Sequence, residues 1–154
     1  MTITDDPKLL REMLRFLERK LGVLEDKQVS CCNITMAQCH ALVEIGRSAN
    51  ISLNELAQLL NLENSTMSRT VNNLVNNGLV KRDIDLQDRR YVTISLTDSG
   101  EKIFKKIEAS MDLYFTKVYD SIPGTSRLQV IESLKILLEA IDKNESCNIN
   151  IKDC

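Results

Sequence analysis

Tryptophan is absent from this 154-residue sequence, histidine occurs once, proline twice and glycine five times. With so few residues that break or bend helices, and apolar side chains recurring three and four apart, the chain is expected to be mainly helical with a small β element. No apolar run approaches the roughly 20 residues that span a bilayer, and Met1 to Asp6 lacks the basic and apolar stretches of a signal peptide. No membrane partner is implied, and the expected location is the cytoplasm. A strong net charge is missing too: 20 basic against 22 acidic side chains leave −2. Attraction to nucleic acid can therefore come only from a local basic surface.

Catalytic signatures are also lacking. There is no glycine-rich phosphate loop, nucleophile elbow or paired acidic motif. Cys39 adjoins His40, but neighbouring helical residues point about 100° apart and do not form a nucleophile–base pair. An enzyme is not expected, and no obligatory cofactor is implied. What is present, 43% hydrophobic and 27% charged residues, suits one compact globular domain.

Asp6 before Pro7 reads as a helix start with Asp6 as the cap, and Leu10, Met13, Leu14, Leu17 and Leu21 form one apolar stripe to about Leu24. Thr35 with Gln38 matches a capping box, opening a helix through Cys39, Leu42 and Val43 that Gly46 is expected to stop. Ser52 with Glu55 repeats the device. After a polar turn at Asn61 to Asn64, Met67, Val71, Leu74 and Val75 carry the next stripe up to Gly78. The period then changes: Val92, Ile94 and Leu96 alternate with polar residues, so Tyr91 to Leu96 reads as a half-buried strand, with Leu79 to Asp83 its antiparallel mate. The polar stretch from Ile84 to Arg90 between them looks like an extended wing. Thr97 caps a long helix with Ile103, Ile107, Met111, Tyr114, Phe115 and Val118 facing inward and Glu101 and Lys105 as an exposed ion pair. Pro123-Gly124 breaks it, and a last helix carries Leu128, Ile131, Leu134, Leu137, Leu138 and Ile141.

Helix, turn, helix and hairpin in this order make a winged helix-turn-helix, whose second helix enters the major groove while the wing reaches the flanking backbone or minor groove. Opposite the stripe from Met67 to Val75, the 100° step places Ser65, Arg69, Asn72 and Asn76, with Thr66, Ser68 and Asn73 at the edges. That face is almost free of carboxylates. Arg pairs with a guanine edge and Asn with an adenine edge, while hydroxyls suit phosphates or bases. A solvated helix side that binds nothing is the competing reading of this face. In the wing, Asp88 stands beside Arg89 and Arg90 and could hold one guanidinium extended toward a narrow minor groove. A soluble charged tip is the plain alternative. Lys81 and Arg82 are expected to extend the positive strip.

The sequence resembles the MarR family. The resemblance is carried by Ile51-Ser-Leu-Asn-Glu-Leu-Ala57, Ser65-Thr-Met-Ser-Arg-Thr-Val-Asn-Asn-Leu74, Gly78-Leu-Val-Lys-Arg82, Asp85-Leu-Gln-Asp-Arg-Arg90 and Leu96-Thr-Asp-Ser-Gly100, and with the flanking helices it covers nearly the whole chain. It implies a single domain over 1–154, a winged helix-turn-helix over 35–96, a helical dimerisation region over 7–30 and 97–144, and a flexible tail over 145–154. By the same resemblance the protein is a homodimer whose first helix and last two helices interlock and whose two lobes straddle a near-palindromic duplex site. Members are usually repressors released by a ligand, a metal or oxidation. Ser65, Thr66, Ser68 and Arg69 map to recognition-helix contacts, and Asp88 with Arg90 to the wing-tip pair.

Five cysteines, Cys31, Cys32, Cys39, Cys147 and Cys154, are an odd number that suits thiols in a reducing compartment better than a disulfide framework. Cys31 and Cys32 immediately precede the Thr35 helix and Cys39 lies about one turn inside it. These three are candidate sensor thiols for an oxidant or a thiophilic metal or metalloid. The alternative is that Cys39 is a small core residue and the other two are incidental. The chain is expected to depart from known sensor subgroups in having no cysteine in its first helix, a single histidine and no Cys-x-x-Cys pair. A small aromatic effector, or a winged helix that serves as a protein-interaction module and tolerates loss of Arg69 and Arg90, stays open beside the thiol reading.

Overall fold

The computed structural model describes residues 5–145 and, within them, the side chains of all but residues 23–31 and 145. In chain order it comprises α1 (Asp6–Cys32), α2 (Met36–Ser48), β1 (Ile51–Ser52), α3 (Leu53–Leu59), α4 (Asn64–Asn76), β2 (Val80–Ile84), β3 (Val92–Leu96), α5 (Asp98–Ser121), a 3-10 turn (Gly124–Ser126) and α6 (Arg127–Glu145). The class is the expected one, helices with a small antiparallel sheet. Two compact units divide inside α5, one up to Ala109 and one from Ser110.

In the first unit the core lies where α2, α3 and α4 meet the sheet. Leu42, Ile45, Leu56, Met67, Val71, Leu74 and Ile94 are its largest fully buried side chains. The sheet order is β1-β3-β2. Val80 pairs with Leu96, Arg82 with Ile94 and Ile84 with Val92, while Ile51 of β1 pairs with Ile94. The third strand is a departure from the expected two-stranded hairpin. Two residues are too short for an alternation to show, and β1 is recognisable only by the partner it finds.

Both capping boxes form. Thr35 Oγ1 accepts from the Gln38 amide at 3.3 Å while Gln38 Oε1 accepts from the Thr35 amide at 3.1 Å. Ser52 Oγ and Glu55 Oε2 make the same exchange at 3.2 and 2.9 Å. The Ser52 backbone and hydroxyl bonds hold the Glu55 carboxyl below its ordinary pKa. Thr97 Oγ1 accepts from the Gly100 amide at 3.1 Å and donates to the Gly78 carbonyl at 2.6 Å, fastening the start of α5 to the end of α4.

Several boundaries differ from expectation. The N-cap of α1 is Asp5, not Asp6, and its side chain makes no capping bond. The helix runs to Cys32 rather than Leu24, because nothing after Gly22 breaks it until Asn33 turns left-handed at φ 54. Cys31 and Cys32 therefore belong to the first helix, which was expected to hold no cysteine. Gly46 does not stop α2. It lies inside the helix, where an added Cβ would meet the Phe104 ring at 2.6 Å, and the chain turns instead at Ala49, φ 62. Ile84 belongs to β2, so the wing loop spans residues 85–91.

In the second unit the corner between α5 and α6 is tied by Arg127. Its Nε donates to the Ile122 carbonyl at 3.1 Å and its Nη2 to the Asp120 carbonyl at 3.0 Å, with the guanidinium 4.9 Å above the Tyr119 ring. Tyr114, Phe115 and Val118, expected to face inward, are instead exposed in the single chain, as are Leu128, Ile131, Leu134, Leu138 and Ile141 of α6. Their apolar stripes are real, but within one chain they lie open. The tail thiols Cys147 and Cys154 fall outside the described residues.

Candidate nucleic-acid interface

Helix α4 is built from a narrow apolar stripe. Met67, Val71 and Leu74 are wholly buried, Thr70 is buried with its hydroxyl donating to the Thr66 carbonyl at 3.2 Å, and Val75 is only half-buried. The helix ends in a Schellman turn: the Gly78 amide donates to Val75 O at 2.9 Å and the Leu79 amide to Leu74 O at 3.0 Å. Gly78 takes the left-handed φ of 72° that this turn requires. The chain thus leaves α4 directly into β2.

Burying one stripe leaves the other side of α4 in water. Ser65, Thr66, Arg69, Asn72, Asn73 and Asn76 are exposed and Ser68 is half-buried. No Asp or Glu lies within Asn64–Asn76; the nearest carboxylate is the N-cap residue Glu63. An array of guanidinium, amide and hydroxyl groups therefore stands on a helix without local negative charge.

The wing loop is tied by its own side chains. Asp85 Oδ1 accepts from the Gln87 amide at 2.8 Å and the Asp88 amide at 3.4 Å, and the Asp85 amide donates to Tyr91 O at 2.9 Å. Asp88 Oδ1 then accepts from both the Arg90 amide, at 3.1 Å, and Arg90 Nε, at 3.2 Å. Of the two arginines, Arg90 is the one that Asp88 holds, and its side chain is 89% exposed. Arg89 is exposed beside it.

Lys81 and Arg82 do not extend one positive strip as expected. Successive strand residues face opposite sides of the sheet, and Lys81 Nζ lies 3.9 Å from Asp83 Oδ2 on its own side. The cationic character of the hairpin thus rests on Arg82, Arg89 and Arg90, at separate places on it.

Residues 34–92, the stretch that holds this helix and wing, match the MarR family. The repressor MdtR of Bacillus subtilis is 22% identical over 142 residues, 92% of this chain and 84% of that protein. Over its helix-and-wing stretch the chain is similar to MarR-family proteins. FabT of Streptococcus pneumoniae, solved in complex with DNA, superposes with a TM-score of 0.82 at 20% identity, covering 88% of this chain and 97% of that one. The MepR–DNA complex of S. aureus gives 0.71 at 23% identity, over 84% and 96%. The match to that family model, together with relatives that are transcriptional regulators, makes the chain a transcriptional regulator and not an enzyme.

The candidate sensor thiols lie at the junction of α1 and α2. Cys39 is buried on α2 at 5% exposure, Cys32 is half-buried in the last turn of α1, and the Cys31 side chain is outside the described residues. Among the described residues no three His, Cys, Asp or Glu side chains come together as metal ligands would. Also among them, no helix is long and apolar enough to cross a membrane. The sequence reading missed Phe104, which packs on Gly46, and Arg47, which binds Glu108 at 3.2 Å and so joins α2 to α5. An apolar residue one place off the counted stripe, and an ion pair between residues 61 apart, carry no local signal.

Proposed function

We propose that the protein represses transcription as a homodimer, reading a pseudo-palindromic duplex whose half-sites lie about one helical turn apart. One observation carries this: the carboxylate-free face of α4 is exposed in the same compact unit as a wing whose Arg90 is held extended by Asp88. In the assembly, Arg69, Asn72 and Asn76 face base edges, Ser65, Thr66 and Ser68 bond to phosphates or bases, and Arg89 and Arg90 enter the flanking minor groove. Support for two copies comes from apolar surface with no cover in one chain, on α1 from Leu9 to Leu21 and on α6 from Leu128 to Ile141. The site of action is the cytoplasm, where such DNA is reached.

The regulatory part of the proposal is release from DNA when Cys31, Cys32 or Cys39 is oxidised or captured by a thiophilic metal or metalloid. The position of Cys32 and Cys39 at the α1–α2 junction supports it, since a change there shifts the helix that underlies the reading unit. Titrating the reduced protein–DNA complex with peroxide, arsenite and zinc tests it. The proposal expects release by at least one of them and none in a variant with all three cysteines replaced by serine; a response that survives the triple replacement removes the thiol mechanism.

A further inference from the structure

The wing presents one large apolar side chain that the arginine clamp does not use. Leu86 is 100% exposed, the only large hydrophobic residue among those described to have no cover at all. Its exposure is fixed by the turn around it. Asp85 Oδ1 gathers the amides of Gln87 and Asp88, and the Asp85 amide closes the loop on Tyr91 O, so the backbone on both sides of Leu86 is pinned. Asp88, whose amide is one of the two gathered, is the residue that orients Arg90. A single turn therefore presents a leucine and a guanidinium together. Behind them, the cross-strand pair Ile84 and Val92 is also open to water, at 62% and 45%.

The walls of a DNA minor groove combine the same two chemistries. Deoxyribose faces offer apolar surface, and the phosphates beside them offer negative charge; minor-groove proteins commonly set apolar side chains next to their arginines. We propose that Leu86 packs on the deoxyribose edges of the minor groove next to the wing arginines and supplies a part of the affinity that does not depend on salt. The inference rests on the DNA-reading function above and assigns the wing tip a second kind of contact. A phosphate contact gains its free energy by releasing counterions and weakens with salt, whereas an apolar contact releases none. The two contributions can thus be separated by slope.

The test uses the full chain and a duplex enriched from a random library by the parent protein, titrated by fluorescence anisotropy across a salt series. Because Leu86 is fully exposed, Leu86→Ala should keep the parent's thermal midpoint. Its affinity should fall about tenfold at every salt concentration, the ratio expected when most of a leucine's surface leaves water on binding, with an unchanged logarithmic salt slope. Arg90→Ala, measured alongside, should lower the slope by about one. If Leu86→Ala binds like the parent while Arg90→Ala is weakened, the leucine contact is overturned and the DNA reading stands. A Leu86→Ala loss that comes with a lower slope also overturns it, because the defect then lies in phosphate contacts. If the parent enriches no duplex, both readings fall.

Discussion

At the scale of single residues, the geometry separates side chains that hold the fold from those that face a partner. The Asp88–Arg90 pair is exposed, so its contribution to stability lies under about 1 kcal/mol. Its effect is to fix where the guanidinium points. Asp88→Ala should therefore leave the urea midpoint nearly unchanged, within about 0.5 kcal/mol, while weakening duplex binding in an anisotropy titration. Gly100 is the opposite case. A Cβ there would run into Leu79 O, which is backbone and cannot step aside, so Gly100→Ala should destabilise the fold by roughly 3 kcal/mol in urea unfolding. Gly46→Ala meets the Phe104 ring instead and should cost less, about 1–2 kcal/mol. From the sequence, Gly46 and Gly78 both read as helix stops and only Gly78 is one. A glycine that ends a helix and a glycine that admits a ring look alike until the partner is known.

At the scale of elements, what was legible was local. The boxes Thr35–Gln38 and Ser52–Glu55 announce helix starts because all their hydrogen bonds fall within four residues. Ser52→Ala should cost about 1 kcal/mol of stability. Glu55 adds a pH dependence whose sign is fixed. Its folded pKa is depressed, so its contribution is complete above the ordinary carboxylate range and is lost as pH falls through the lower folded value. Glu55→Gln keeps an acceptor for the Ser52 amide but cannot titrate, so its urea midpoint should fall less steeply with acid than the parent's. The wing was legible as well, since Val92, Ile94 and Leu96 alternate over a full strand. The two-residue β1 and the last eight residues of α1 were not, because the first has no periodicity to show and the second has no apolar stripe. The exposed side of α4 was legible because it is the complement of a buried stripe, and Ser65, Arg69, Asn72 and Asn76 lie where the 100° step puts them.

At the scale of the whole molecule, the single chain leaves more apolar surface open than a monomer keeps without reason. Leu9, Leu10, Met13, Phe16, Leu17 and Leu21 of α1 are each more than a third exposed, and α6 shows a second such stripe. A sequence can mark these positions as apolar, but whether they are covered by the same chain or by another is outside its periodicity. If two copies meet through α1, Leu17→Glu should convert a dimer to a monomer in sedimentation at micromolar concentration and reduce duplex affinity steeply. It should leave the winged unit folded by circular dichroism, since Leu17 is not among the buried core residues of that unit.

The central claim is that the polar face of α4 reads bases, and Arg69 tests it most directly. Parent and Arg69→Ala would be titrated against a duplex enriched by the parent and against versions with one base pair changed at each position in turn. The parent should discriminate by about 1–3 kcal/mol at the base pair under Arg69, and the variant should lose that preference there while keeping it elsewhere. An Arg69→Ala protein with the parent's affinity and the parent's preference at every position would contradict the account.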